Sequence, residues 1–190
     1  MIKIGILGDI GSGKTFISKQ FGLPTFNADK EVQKIYKNNR ACFIKLRKKL
    51  PKFINSFPIE KKNLIRAILS NVENLKKINK IVHPLVRKRL NKFFLKNKKR
   101  KAVVIDIPLL LENKINVKSY VLIFVDAKKD DIYKKLKKRK NYNINLLNKL
   151  RKIQISLKFK KNKSNFIIKN NFKSVQAIKN VKIIKKQILN

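Results

Sequence analysis

The sequence predicts an α/β fold of three layers around a five-stranded parallel sheet. Three observations carry that expectation. Continuous apolar runs, "AVVIDI" at 102–107 and "YVLIFVDA" at 120–127, suit strands covered on both faces. Helical apolar spacing flanks those runs, the alternation expected of a parallel sheet wrapped by helices. A glycine-rich segment, "GDIGSGKT" at 8–15, stands between a predicted strand and a predicted helix.

In chain order, Ile2 to Leu7 is β-branched and alternating and reads as the first strand, and Thr15 to Phe21 reads as the first helix. A turn at Gly22-Leu23-Pro24 leads to a short strand at Thr25 to Ala28. Residues 30–95 show no strand pattern. Segments such as "CFIKLRKKL", "NLIRAIL" and "LKKINKIVHPLVRKRLNKFF" have helical spacing, with breaks near Pro51 and Pro58. Beyond the two buried strands, helices are expected at 129–139 and 144–158, a last strand at 165–170, and a closing helix through Val175, Ile178, Val181, Ile184 and Ile188.

Composition bounds the function. A hydrophobic content of 43% in 190 residues supports a buried core in a single domain. The net charge of +40 attracts polyanions, but its lysines are spread along the chain, which reads as a compositional bias rather than a binding stripe. The blocks "KNKKRK" and "KKLKKRK" are the densest and also fit nucleic-acid patches. Cys42 as the single cysteine excludes an intrachain disulfide or thiolate cluster, and a single His excludes a His-rich metal site. The amino-terminal apolar run is too short for a signal-peptide core, and no apolar span approaches the roughly 20 residues of a membrane helix. A cytoplasmic protein, with no membrane and no specific nucleic acid as partner, is expected.

The segment Gly8-Asp9-Ile10-Gly11-Ser12-Gly13-Lys14-Thr15 fits the phosphate-loop pattern G-x-x-x-x-G-K-[ST]. Backbone N–H groups must close around a phosphate chain, and side chains at the tight positions would hold the backbone away, hence glycine. Gly8, Gly11, Ser12, Gly13, Lys14, Thr15 and Phe16 are therefore candidate residues for binding a nucleotide triphosphate. Lys14 is placed to reach the β and γ phosphates, and the Thr15 hydroxyl to ligate Mg²⁺.

Few acids are available, ten in all. Asp29 follows the second strand and Asp106 ends the third, and the carboxyl ends of parallel strands form the ligand crevice. Asp29 can accept a proton from an attacking hydroxyl, or it can cap the helix that follows. Asp106 can hold Mg²⁺ with Thr15, or cap the turn before Pro108. Arg139, beyond a helix and beside a polar loop, can stabilise transferring phosphates or lie solvated. His83 in "HPLVR" reads as structural as readily as catalytic.

Taken together, "GDIGSGKT", "NAD" at 27–29, "HPLVR" at 83–87, "DIPLLLE" at 106–112, and Arg139 followed by Gln154 resemble the dephospho-coenzyme A kinases, P-loop enzymes that move the ATP γ-phosphate to the 3′-hydroxyl of dephospho-CoA. The resemblance spans most of the chain. It implies a P-loop kinase fold with a core at about 1–29, 100–127 and 160–190, an acceptor-binding helical subdomain at about 30–95, and a lid at about 128–150. It further implies that Asp29 is the general base, that Arg139 belongs to the lid, that His83 and Arg87 touch the acceptor, and that Asn170 lies near the adenine. ATP and Mg²⁺ are the implied cofactors, and a monomer is expected.

The chain departs from the family pattern at Asp9, in place of a glycine, at Phe16, in place of a small hydroxyl residue, at Asn27, in place of the first acid of D-A-D, and at Lys140, in place of an acid. Lys14, Thr15 and Asp29 are kept. A carboxylate at position 9 repels phosphate unless it turns away or neighbouring lysines neutralise it. Another small P-loop nucleoside or nucleotide kinase, a nucleic-acid-binding P-loop protein, and a nucleotide-binding protein without turnover remain as alternative readings.

Overall fold

The computed structural model describes residues 1–107, 110–111, 118–139 and 142–190. Its elements in order are β1 (Ile2–Gly8), α1 (Lys14–Gln20), β2 (Thr25–Asn27), α2 (Ala28–Asn38), α3 (Arg40–Lys49), α4 (Lys61–Ser70), α5 (Glu73–Lys96), β3 (Ala102–Asp106), β4 (Tyr120–Asp126), α6 (Lys129–Lys137), α7 (Ile144–Lys152), α8 (Leu157–Asn162), β5 (Phe166–Lys169) and α9 (Ser174–Leu189). Among the described residues the strands form one parallel sheet in the order β2-β3-β1-β4-β5. The expected five-stranded α/β architecture is what the chain adopts.

The chain divides into two compact units. The first comprises Met1–Asn27, Lys96–Tyr142 and Ile153–Asn190 and holds the whole sheet; the second comprises Ala28–Leu95 and Asn143–Lys152. In the first unit, alternate side chains of the strands bury on opposite faces. Ile4, Ile6, Val104, Ile123, Val125 and Ile168 pack with Ile17 and Phe21 of α1 and Val181 of α9. Val103, Ile105, Leu122 and Phe124, offset by one residue, are buried as well, and α8 packs against β1. Strands buried on both faces have no polar position to spare, which is why these runs read as unbroken apolar sequence.

Because all five strands run parallel, their carboxyl ends, at Gly8, Asn27, Asp106, Asp126 and Lys169, lie along one edge of the sheet. Register places Asn27 directly beside Asp106, and Gly8 beside Val125. That edge carries the P-loop.

The second unit is helical. Its buried residues include Ile35, Leu46, Leu64, Ala67, Ile78, Val82 and Leu90. Lys149 of α7 donates to the carbonyl of Leu69 at 2.6 Å, at the end of α4 where helix carbonyls lack intrahelical partners. Arg89 of α5 pairs with Glu31 of α2 at 2.7 Å. Pro84 lies inside α5 and the helix continues through it.

Two sequence expectations need correction. The single helix expected at 144–158 is two, α7 and α8, because the Ser156 hydroxyl accepts from the Phe159 N–H at 3.2 Å and starts a new helix there. The reading of Asp29 as a helix cap also fails. Helix α2 starts at Ala28, so Asp29 lies within its first turn.

Candidate active site

The loop between β1 and α1 is shaped by its glycines. Gly11 and Gly13 have φ of 86° and 93°, a region that L side chains rarely adopt. Space is the second constraint. A Cβ on Gly11 would meet Leu136 of α6 at 2.9 Å, and a Cβ on Gly13 would run into the Asn170 amide nitrogen. Left-handed and right-handed residues in succession turn consecutive amides toward one concave side, the geometry that cradles phosphate.

Asn170, at the end of β5, holds this loop from outside. Its side-chain amide donates to the Ser12 carbonyl at 2.8 Å, its carbonyl oxygen accepts from the Phe172 N–H at 3.0 Å, and its own N–H donates to the Asp126 carbonyl at 2.7 Å. The residue is buried. A partner 158 positions away leaves no trace in local spacing, so this bond to the loop is not legible in the sequence. The Ser12 hydroxyl, within that loop, is the one buried side-chain polar atom without a partner among the described residues.

Lys14 folds back over the loop, its ammonium donating to the carbonyls of Asp9 at 2.7 Å and Gly8 at 3.3 Å. Asp9 is buried, and its carboxylate accepts from the Ile10 N–H at 2.6 Å. One carboxylate oxygen is thus engaged by backbone, and the lysine sits against the carbonyl of the same residue. These contacts reduce the repulsion expected from an acid at position 9.

Thr15 and Asp106, from α1 and β3, meet directly. The Thr15 hydroxyl donates to Asp106 Oδ2 at 2.7 Å, and the Asn27 amide donates to the same oxygen at 2.6 Å. Asp106 is only 3% exposed, so these donors matter: a buried carboxylate without them would be costly. Local spacing does not mark the contact between Asn27 and Asp106 either. Thr15 and Phe16 are exposed.

The remaining candidates lie elsewhere on the chain. Arg139 is exposed, in the bend that follows α6, and α6 carries the Ile132 and Leu136 side chains that close on Gly11. Asp29 is exposed in the first turn of α2, in the helical unit. His83 and Arg87 share a face of α5 that borders a hollow of about 420 Å³, together with Lys76, Asn79, Lys80 and Pro84. Burial lowers the His83 pKa, and the neighbouring Arg87 charge lowers it further, so the imidazole favours its neutral form. Pro108, Leu109 and Glu112 of the "DIPLLLE" segment lie outside the described residues, as does Lys140. A larger hollow, about 1000 Å³ at the ends of β4 and β5, is lined by residues such as Asp126, Lys128, Lys161 and, alone among the candidates, Asn170.

Comparison with known proteins agrees with this fold. A family model described as dephospho-CoA kinase matches residues 2–176. The dephospho-CoA kinase of Wolbachia pipientis wMel is 32% identical over 186 residues, covering 95% of each chain. That of Bartonella henselae is 34% identical over 116 residues, 58% of this chain and 59% of its own. Among solved structures, a protein from Thermus thermophilus superposes with a TM-score of 0.79 at 22% identity, covering 100% of this chain and 98% of that one. A dephospho-CoA kinase from Campylobacter jejuni gives 0.65 at 23%, covering 98% and 97%. At these identities the structural matches speak for the fold.

Proposed function

We propose, for a chain that belongs to the dephospho-CoA kinase family and is thereby an ATP-dependent transferase acting on dephospho-CoA, a mechanism built on the P-loop and on Asp29. The observation that carries it is the joining of Thr15 to Asp106 beside a glycine-shaped loop. In this reading the amides of Gly11 to Thr15 cradle the ATP phosphates. Lys14 exchanges its two loop carbonyls for the phosphate oxygens, a stronger, charge-assisted interaction.

The Thr15 hydroxyl and the Asp106 carboxylate are hard oxygen donors, already in hydrogen-bond contact, and that donor set suits Mg²⁺. When bound, Mg²⁺ would neutralise charge on the phosphate oxygens. The chain's own groups do the rest. Asp29 takes the proton of the 3′-hydroxyl as that oxygen attacks the γ-phosphorus in line, the bond from that phosphorus to the β,γ-bridging oxygen breaks and ADP leaves with its electron pair, and Lys14 and Arg139 offset the charge that spreads over the transferring group. Asp29 stands two residues after Asn27, whose amide is bonded to Asp106, and this short tether supports the assignment.

His83 and Arg87, with Lys76 and Lys80, offer cationic and hydrogen-bonding groups along one hollow of α5, which supports their holding the anionic acceptor. We assign the lid role to 128–150, a segment that contributes α6 to the first unit and α7 to the second. Both substrates are water-soluble anions, which supports a cytoplasmic site of action. The test is ADP release across an acceptor panel. Dephospho-CoA should support turnover far above background, whereas nucleosides and nucleoside monophosphates should not; equal turnover with another acceptor would overturn the assignment.

A further inference from the structure

Asn27 is an amide at the point where the sheet brings β2 against β3. Register sets it beside Asp106, and its Nδ2 donates to Asp106 Oδ2 at 2.6 Å, the oxygen that also accepts the Thr15 hydroxyl at 2.7 Å. An acid at position 27 would set two carboxylates side by side, a repulsive pair. The amide turns that neighbour into a donor. All three residues belong to the same compact unit, so strand register and helix packing fix the relay.

We propose that Asn27 is a positioning residue for the metal-binding pair. Its amide holds the Asp106 carboxylate where it accepts the Thr15 proton, and this leaves the lone pairs of the Thr15 oxygen to a divalent cation. The inference rests on the reading of Thr15 and Asp106 as that pair. Asn27 itself touches neither nucleotide nor cation; it acts through Asp106. Outer partners of this kind fix the orientation of ligands and tune affinity for the metal.

The experiment titrates Mn²⁺ by electron paramagnetic resonance into the full chain saturated with a non-hydrolysable ATP analogue. For Asn27→Ala the Mn²⁺ affinity should fall by about tenfold, in line with losses at outer-shell partners. Affinity for the analogue in excess EDTA should stay within about twofold of the parent, because the P-loop contacts are untouched. In an Asp106→Asn background, adding Asn27→Ala should change Mn²⁺ affinity by less than about twofold, since the route through Asp106 is already cut. Parental Mn²⁺ affinity in Asn27→Ala, or an undiminished effect in the Asp106→Asn background, would overturn the proposal. Asn27→Val, which keeps a strand-favouring residue in β2, carries the same expectations. Loss of the native circular dichroism spectrum in both variants would assign Asn27 to folding alone and overturn it too. A parent that binds no Mn²⁺ with the analogue would sink the underlying reading of the metal pair, an outcome distinct from a parent that binds it and variants that match.

Discussion

Gly13→Ala tests the loop most sharply. Gly13 sits at φ 93° and ψ 16°, and an added Cβ would run into the Asn170 amide that holds the Ser12 carbonyl. Two costs combine. Forcing a residue with a Cβ into left-handed backbone costs about 1–2 kcal/mol. Displacing Asn170 gives up a buried hydrogen bond worth about 0.5–1.5 kcal/mol. The sum, about 1.5–3.5 kcal/mol, corresponds to a drop in Tm of roughly 3–14 °C for a chain of this size. Calorimetry reads the shift, and fluorescence titration reads the accompanying loss of ATP affinity. A double-mutant cycle isolates the clash. Asn170→Ala should cost less in the Gly13→Ala background than in the parent, by about 1 kcal/mol, because the bond is already lost there. A Tm within about 1 °C of the parent for Gly13→Ala, or strict additivity with Asn170→Ala, would refute the reasoning.

Three further predictions follow from the same contacts. Ser12→Ala removes a buried hydroxyl that has no partner among the described residues and should raise stability by about 1 kcal/mol in the nucleotide-free protein, read as an increase in Tm. Thr15→Val removes a donor to the buried Asp106 carboxylate and should lower kcat by at least about tenfold while the protein stays folded by circular dichroism. His83 binds its proton less readily in the folded chain than its ordinary pKa of 6.5, so the unfolded chain carries more protons just below that pH. Stability should therefore be full above about pH 6.5 and decline as pH falls through the folded-state value, and His83→Gln should flatten that part of a urea-unfolding series.

Much of the fold is legible in the sequence because burial on both faces removes ambiguity. Unbroken runs such as 102–107 have nowhere to go but the centre of a parallel sheet. The P-loop is legible because its chemistry dictates residue types at fixed spacing. The break between α7 and α8 was hidden, since apolar spacing continues across it while one serine hydroxyl decides the matter. The partners of Ser12 and Asp106 were hidden for another reason. Asn170 and Asn27 reach them across 158 and 79 residues, so local spacing gives neither contact. Pairings of that kind are set by sheet order, which local pattern does not encode. The position of Asp9 posed the opposite problem, a conspicuous charge whose effect is softened by backbone contacts visible only in three dimensions.

The central claim is that Asp29 accepts the proton of the acceptor hydroxyl while the P-loop holds the triphosphate. Its most direct measurement is the rate of CoA formation from dephospho-CoA and ATP, followed by mass spectrometry, in parent and Asp29→Asn. Loss of a general base should lower kcat by about 10²–10⁴-fold while ATP affinity is unchanged. CoA formed by Asp29→Asn at the parental rate would contradict the account.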